Sequence, residues 1–350
     1  MYMSIITVVG AGVMASALCF PARDNGHEVR LVGTPLDREI IDNCRKNGRH
    51  ITLKRRMPNG IHYFQFEGFE EAVEGADLLI GGVSSFGVEW FLREVLAVIP
   101  DDLPVLSVTK GMFDTPEGGL ICYPEYYEGK LGGRSMSLNA IGGPCTSYEL
   151  ADRHHSAVFF CGRDMGVLRR LKSILETDYY HISLSTDVRG IECAVALKNA
   201  YALGVTLAVG LAERECGEGC DLHYNPQAAL FGQSIREMRM LLKMAGCADD
   251  NIITGAGDLY VTIFGGRTRH LGTLLGRGIS FAKAMELLDG VTLESVVIAK
   301  RTASALKTLI KKGMASPADF PLLLHIDDII GNGAPVNIPW KSFESEARRD

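Results

Sequence analysis

The chain lacks the common signs of export, of a disulfide framework and of a structural metal. Its cysteines (Cys19, Cys44, Cys122, Cys145, Cys161, Cys193, Cys216, Cys220 and Cys247) stand singly and are odd in number, which fits a reducing cytoplasm. Met1-Tyr2-Met3-Ser4 leads directly into an apolar run from Ile5 to Val9, too short for a signal h-region and without a basic n-region. The closest metal-like spacing, Cys216-x3-Cys220-x2-His223, has neither a fourth ligand nor a second pair. An ordinary loop is therefore expected there rather than zinc, and no metal site is expected in the chain. Basic excess is missing as well. The net charge of −6 gives no support to general nucleic-acid binding, although local cationic clusters still permit an anionic substrate. Internal repeats and low-complexity tracts are absent.

Charge is almost absent from Cys193 to Ala212, where Lys198 stands alone. The stretch is long enough to span a bilayer. However, Ala and Gly dominate it, Lys198-Asn199 sits well inside, and no aromatic belt or basic flank follows. A buried core helix is expected, not a membrane span.

What is present points to two domains. The chain has 350 residues, 47% of them hydrophobic, ample for two buried cores. The first third alternates strand-like runs (Ile5–Val9, Glu28–Val32, Asp77–Val83, Val105–Val108) with helical ones (Val13–Asn25, Phe69–Glu74, Glu89–Ile99). Such alternation predicts an α/β fold whose parallel sheet is covered on both faces. From about residue 190 the helical period takes over, through Gly190–Ala212, Pro226–Ala245, His270–Leu275, Phe281–Leu288, Leu293–Lys312 and Pro321–Ile330. The polar segment Ser183–Asp187 reads as the break, giving domains 1–187 and 188–350, and the charged end Glu344–Asp350 is expected to fray.

Gly10-Ala11-Gly12-Val13-Met14-Ala15 follows the first strand and opens a helix. Gly10 permits the tight turn, Gly12 lets backbone approach a pyrophosphate, and Ala15 lets helix pack on strand. The helix N-terminus attracts phosphates. With a strand on each side, this predicts a Rossmann-type dinucleotide site, the alternative being a glycine turn needed only for packing. The second strand ends in Val32-Gly33-Thr34-Pro35 without a carboxylate, and Arg38 lies slightly farther on. An acid there selects NAD; its lack predicts that NADPH is accepted at least as well as NADH, with a solvent-facing Arg38 as the alternative to a 2′-phosphate contact.

Lys198 has no carboxylate at helical spacing: its neighbours three and four residues away are Val195, Tyr201, Ala194 and Ala202. A desolvated lysine exchanges protons near neutrality; the alternative is one that snorkels to the surface. Asp258, in Thr254-Gly255-Ala256-Gly257-Asp258-Leu259, reads as an acid presented by a glycine-rich turn and able to pair with Lys198, or else as a plain turn or N-cap aspartate. Gly265-Gly266-Arg267-Thr268-Arg269-His270 follows, and no Asp or Glu occurs from Leu259 through Met285, while Arg267, Arg269, Arg277 and Lys283 do. Glycines at a helix start beside arginines predict an anion site, against a solvated basic face. Lys110-Gly111 directly follows a strand, where ligands of doubly wound sheets gather; in isolation Lys110 is a surface lysine in a turn.

In order, Lys110-Gly111, Gly143-Pro144 with Glu149-Leu150, Leu197-Lys198-Asn199, Gly257-Asp258-Leu259 and Gly266-Arg267 resemble the NAD(P)-dependent glycerol-3-phosphate dehydrogenases, from Gly10 to about Ile330. The resemblance implies a Rossmann-type doubly wound sheet followed by an all-α substrate domain of 6-phosphogluconate-dehydrogenase-like architecture. It implies NAD or NADP as cofactor, a small phosphorylated substrate, a homodimer and a place in glycerophospholipid metabolism. Lys198 would be the acid/base at the substrate's central oxygen, Asp258 would orient it, and Lys110 would polarise substrate beside the nicotinamide. Arg267, with Gly266, Thr268, Gly143 and Cys145, would surround the substrate. Gly10, Gly12, Val13, Met14, Thr34, Lys110, Ser147, Arg267 and Glu294 would meet the cofactor. The chain departs from the family's habit at Thr268 (often Asn), Cys145 (often Thr), Ser295 (usually Gly), Ser84 (commonly Pro) and Val13-Met14. These keep open a relative acting on another phosphorylated ketone or a hydroxy acid. A non-catalytic nucleotide-binding regulator is the remaining alternative.

Overall fold

The computed structural model describes residues 3–221, 223–288 and 293–344; Val291 and Thr292 beside Glu294, and the charged end from 345 to 350, lie outside the described residues. The chain forms two compact units. One comprises Met1–Lys110 and Cys122–Glu192, the other Gly111–Ile121 and Cys193–Asp350.

The first unit is built on eight strands: β1 (Ile5–Val9), β2 (Glu28–Val32), β3 (Ile61–Phe64), β4 (Leu78–Gly81), β5 (Val105–Ser107), β6 (Leu138–Gly142), β7 (Ser156–Cys161) and β8 (Tyr180–Ser185). They lie in the order β8-β7-β6-β5-β4-β1-β2-β3. Strands β1 to β6 are mutually parallel, as the alternation predicts. Buried on both faces, β1 is an unbroken apolar and β-branched run, Ile-Ile-Thr-Val-Val. The last two strands depart from the expected parallel sheet: β7 is antiparallel to β6, and β8 follows β7. Between β6 and β7 the only helix is Ser147–Ala151. It rises about 7.5 Å, too little to carry the chain back along the sheet for a parallel return.

The polar segment Ser183–Asp187, read from the sequence as the break between domains, closes the sheet shortly before the division of the units at Glu192 and Cys193. Its first half completes β8, the edge strand, where His181 and Ser183 face outward while Tyr180 and Ile182 are buried. Polarity there marks a strand with one solvated face. Helix α1 (Val13–Asp24) buries Ala15, Leu18, Cys19 and Ala22 against the sheet and ends at Asn25-Gly26, with Gly26 at φ +80°.

The axis of the second unit is α2 (Val188–Cys216). It is long and apolar enough to cross a membrane, but 89% of its most apolar window is buried inside the protein. Around it pack α3 (Tyr224–Met244), α4 (Asn251–Thr262), α5 (Gly266–Gly276), α6 (Phe281–Leu287), α7 (Glu294–Lys311) and α8 (Pro321–Asn332). Their core joins Leu197, Tyr201 and Leu203 of α2 to Leu230, Leu259, Leu271 and Leu322. Met112 and Leu120 of the inserted Gly111–Ile121 segment belong to the same core, and Arg301 donates to Met112 O at 2.8 Å.

Glycines set how closely α5 docks on α2. A Cβ at Gly210 would stand 2.0 Å from Thr273 O, one at Gly276 2.2 Å from Leu207 O, and one at Gly272 2.0 Å from Thr206 Oγ1. Backbone therefore touches backbone, and any side chain would push the helices apart. Glu237, buried on α3, fastens α8 by its N-terminus. Its carboxylate accepts from Leu322 N and Leu323 N (2.8 and 2.9 Å), Gln233 Nε2 (2.8 Å) and Tyr201 OH (3.1 Å). Burial still pushes the Glu237 carboxyl above the usual range, against these four donors.

Candidate active site

In the first unit the turn after β1 is tight because Gly10 takes φ +100° and leaves no room for a side chain: a Cβ would stand 2.8 Å from Gly82 O. Gly82, just past β4, is equally constrained, since its Cβ would fall 2.1 Å from that of Ala15. The small Ala15 and Gly82 let α1 lie on the sheet. Gly12 differs. Its φ of −67° is ordinary and its Cβ would meet Gly82 O at 3.5 Å, normal contact. The fold does not require glycine there, so the missing side chain leaves space for something outside the chain. Gly12 caps α1 without a side-chain bond, and the first amides of the helix, those of Val13 and Met14, have no intrahelical acceptor. The side chains of both pack on the core.

A cavity of about 450 Å³ opens beside this turn, lined by Gly10, Gly12, Thr34, Gly82, Ser84, Phe86 and Trp90. Glycine backbone and a free helix N-terminus suit a diphosphate, and Phe86 and Trp90 offer apolar surface. These residues fit a dinucleotide.

Past the end of β2, Asp37 stands at the N-cap position of the helix Arg38–Asn47. Asp37 lines the same cavity, and its Oδ2 accepts from Thr34 N (2.9 Å), Thr34 Oγ1 (2.7 Å) and Ala11 N (3.1 Å). Arg38 is exposed and paired with Glu67, a surface pair of the kind worth little energetically.

At the neighbouring strand ends, Lys110 Nζ donates to Gly143 O at 3.0 Å, and Thr109 Oγ1 donates to Val83 O at 2.7 Å. The ends of β4, β5 and β6 are thereby tied together, with Gly143 at φ +114° making the turn. Cys145 packs half-buried against the core, and Ser147, buried, begins the short helix.

In the second unit Lys198 lies mid-way along α2 and donates from Nζ to Asp258 Oδ1 at 2.5 Å; the two side chains are 12% and 1% exposed. Asp258 sits within α4, which corrects the expected glycine-rich turn. The glycine is there for helix contact: a Cβ at Gly255 would come 2.9 Å from Ala194 O. Ala194 and Lys198 are one turn apart on α2, and Gly255 and Asp258 one turn apart on α4. Close approach at the first pair is what brings the second pair into bonding range.

Arg267 is exposed on the first turn of α5, after Gly265 and Gly266 (φ +78°), with no side-chain cap on the helix. Thr268 beside it is half-buried. The rest of the basic run is committed elsewhere. Arg277 pairs with Glu213 (2.6 Å) and Glu218 (2.8 Å), Lys283 with Glu286 (2.7 Å), and Arg269 donates to Ile263 O (2.8 Å). Acids distant in sequence take Arg277 alone, a neighbouring acid takes Lys283 and a main-chain carbonyl engages Arg269, so the candidate anion site narrows to Arg267 with the α5 amides. Glu294 opens α7, and Ser295 behind it is fully buried. Cys216 Sγ lies 3.8 Å from His223 Nε2, but among the described residues no group of three or more metal-ligand side chains occurs.

Sequence reasoning missed Asp37, Gly82 and His50. Asp37 had a local signal, as an acid just before the helical run Arg38–Asn47. Gly82 and His50 act through contacts from distant segments, and nothing local announces them.

Residues 5–167 match the profile described as NAD-dependent glycerol-3-phosphate dehydrogenase N-terminus, and residues 187–340 that of the C-terminus. The chain is 33% identical to the NADP(+)-dependent glycerol-3-phosphate dehydrogenase of Archaeoglobus fulgidus over 81% of its own length and 84% of the relative. It is 26% identical to the glycerol-3-phosphate dehydrogenase [NAD(P)+] of Shouchella clausii over 95% and 93%. In fold it resembles the crystal structure of glycerol-3-phosphate dehydrogenase from Coxiella burnetii, with TM-score 0.79 at 20% identity, covering 97% of this chain and 98% of that one.

Proposed function

The chain belongs to the NAD-dependent glycerol-3-phosphate dehydrogenase family, and on that premise we propose that it interconverts sn-glycerol 3-phosphate and dihydroxyacetone phosphate with Lys198 as acid/base. It is an NAD(P)-dependent oxidoreductase. A bound nicotinamide supplies or takes the hydride at the central carbon. Everything else falls to the chain. Lys198 gives the proton to the carbonyl oxygen in reduction and removes it in oxidation, and Asp258 holds its Nζ in place. Lys110 steadies the developing alkoxide, worth about 3 kcal/mol if it acts like a single oxyanion donor. Arg267 and the α5 amides hold the phosphate and provide remote binding energy. Gly143, Cys145, Gly266 and Thr268 shape the substrate's surroundings. Gly10, Gly12, Val13, Met14, Thr34, Ser147 and Glu294, with Lys110 and Arg267, hold the cofactor. In this reading residues 1–187 bind the dinucleotide and residues 188–350 the substrate, in a cytoplasmic homodimer that serves glycerophospholipid metabolism.

The observation that carries the reading is the Lys198–Asp258 pair, 2.5 Å apart and almost wholly out of solvent. Burying that pair costs solvation which its own attraction barely offsets, so chemistry accounts for it better than stability does. The test is nicotinamide oxidation against a panel of phosphorylated and unphosphorylated ketones. Dihydroxyacetone phosphate should be the best substrate. A better rate with another phosphorylated ketone would assign the departures at Cys145, Thr268 and Ser295 to a new substrate, and activity without phosphate would remove the role of Arg267. The ratio of kcat/KM for NADH and NADPH addresses the cofactor. The expectation that NADPH is accepted at least as well as NADH predicts a ratio near or below one, and relatives named for NADP(+) and NAD(P)+ support it.

A further inference from the structure

Ala11, in the middle of the Gly10-Ala11-Gly12 turn, is held by side chains at its main-chain N–H and C=O, which belong to the two successive peptide planes of the turn. Its N–H donates to Asp37 Oδ2 at 3.1 Å, and its C=O faces His50 Nε2 at 2.8 Å. Ala11 and His50 are both fully buried. His50 belongs to a small two-stranded hairpin, Arg49–His50 with Arg55–Arg56, far along the chain from the turn it supports.

The ring's protonation state follows from its partners. Nδ1 receives the N–H of Leu53 at 3.0 Å, and a main-chain amide can only donate, so Nδ1 carries no proton. The proton is on Nε2 and is donated to Ala11 O. A second proton, on Nδ1, would face the Leu53 N–H and break that bond. Glycine on either side of Ala11 leaves the two peptide planes that meet there little intrinsic restraint. The two side-chain bonds supply it, one to each plane.

We propose that His50 and Asp37 act as positioning residues that clamp the main chain at Ala11, so that the turn receives the diphosphate of the dinucleotide. The proposal rests on the reading that the cofactor sits on this turn. Burial pushes the His50 imidazole below its ordinary value, against the Ala11 carbonyl and the Asp37 carboxylate, which both favour the cation. The Thr52 hydroxyl lies 3.2 Å from Nδ1, beside the Leu53 amide. Arg55 of the same hairpin is engaged by Asp152.

The clamp predicts a change in affinity that does not depend on turnover. ADP-ribose carries the diphosphate but no nicotinamide, and its binding to the full-length protein is measured by calorimetry. His50→Ala should bind roughly tenfold more weakly, the loss of one buried bond and of the restraint it gives. His50→Gln retains a donor near the Nε2 position and should restore most of that affinity. Unchanged affinity in His50→Ala, or a His50→Gln variant as weak as His50→Ala, overturns the clamp. Unchanged ADP-ribose affinity in Gly12→Val would instead overturn the seat of the cofactor, and the clamp along with it.

Discussion

The tripeptide Gly-Ala-Gly occurs once in each unit beside the residues of interest, at Gly10-Ala11-Gly12 and at Gly255-Ala256-Gly257, and the two copies do opposite things. The first is a turn. Gly10 stands at φ +100°, the chain reverses from strand to helix, and the helix N-terminus is left open. The second is continuous helix, where Gly255 serves to admit the backbone of α2 at Ala194. One unit assembles its functional groups from strand-end loops, whose geometry depends on backbone dihedrals. The other assembles them from helices, whose spacing depends on what is missing between them. Glycine is needed in both, for conformation in one case and for proximity in the other.

The largest effect should come from Lys198→Ala. Loss of a general acid/base removes about 10²–10⁴ in rate, so kcat should collapse while dinucleotide affinity in the first unit stays put. Near-normal turnover would remove Lys198 from the chemistry. Asp258→Ala should follow, destabilising by up to roughly 3–5 kcal/mol because it breaks a buried ion pair by removing one partner, seen as a lowered midpoint in denaturant. If Lys198→Met with Asp258→Leu recovers that stability but no activity, the pair serves chemistry; recovery of both would make it structural.

A crossed pair of glycine variants tests the comparison directly. Gly255→Ala should cost about 1–3 kcal/mol by overpacking and lower kcat by moving Asp258, with cofactor affinity unchanged. Gly10→Ala should do the reverse, weakening dinucleotide binding. If each variant impaired both functions, the division of labour between the units would be lost. Arg267→Ala should raise KM for the phosphorylated substrate about tenfold, the worth of a charge-assisted bond, and an unchanged KM would refute the phosphate assignment.

The smallest effect concerns acid. His27, His50 and His325 are all pushed below the ordinary histidine value by burial. The unfolded chain then binds more protons than the folded one, so stability should be full above about pH 6.5 and decline as the pH falls below it. His27 shows the same arrangement as His50, with Nδ1 accepting from Ser4 N and Nε2 beside Ile174 O. A melting temperature flat from neutral pH to about pH 5 would contradict this.

Local pattern was enough for the strand, turn and helix from Ile5 to Asp24, since an apolar run buried from Ile6 to Val9 is followed at once by the glycines. It was enough to set Lys198 apart, because a single charge in an apolar helix needs an explanation wherever the helix goes. It failed for Gly255–Asp258, where glycine was taken to break a helix that tertiary contact sustains, and it did not show that Ser183–Ser185 belong to an edge strand. It also overcounted the basic cluster, since Glu213 and Glu218 reach Arg277 from a distant segment.

From the sequence alone came whatever is set over a few consecutive residues: element type, the strand-turn-helix of the dinucleotide site, and the isolation of one lysine. Only the tertiary structure decided that Asp258 meets that lysine from within a helix, that Arg277 is taken by acids of a distant segment, and which side chains hold Ala11. Those choices depend on contacts between residues such as 11 and 50 or 198 and 258. They form only when separate segments bury their apolar faces together, and such meetings leave no periodic trace along the chain.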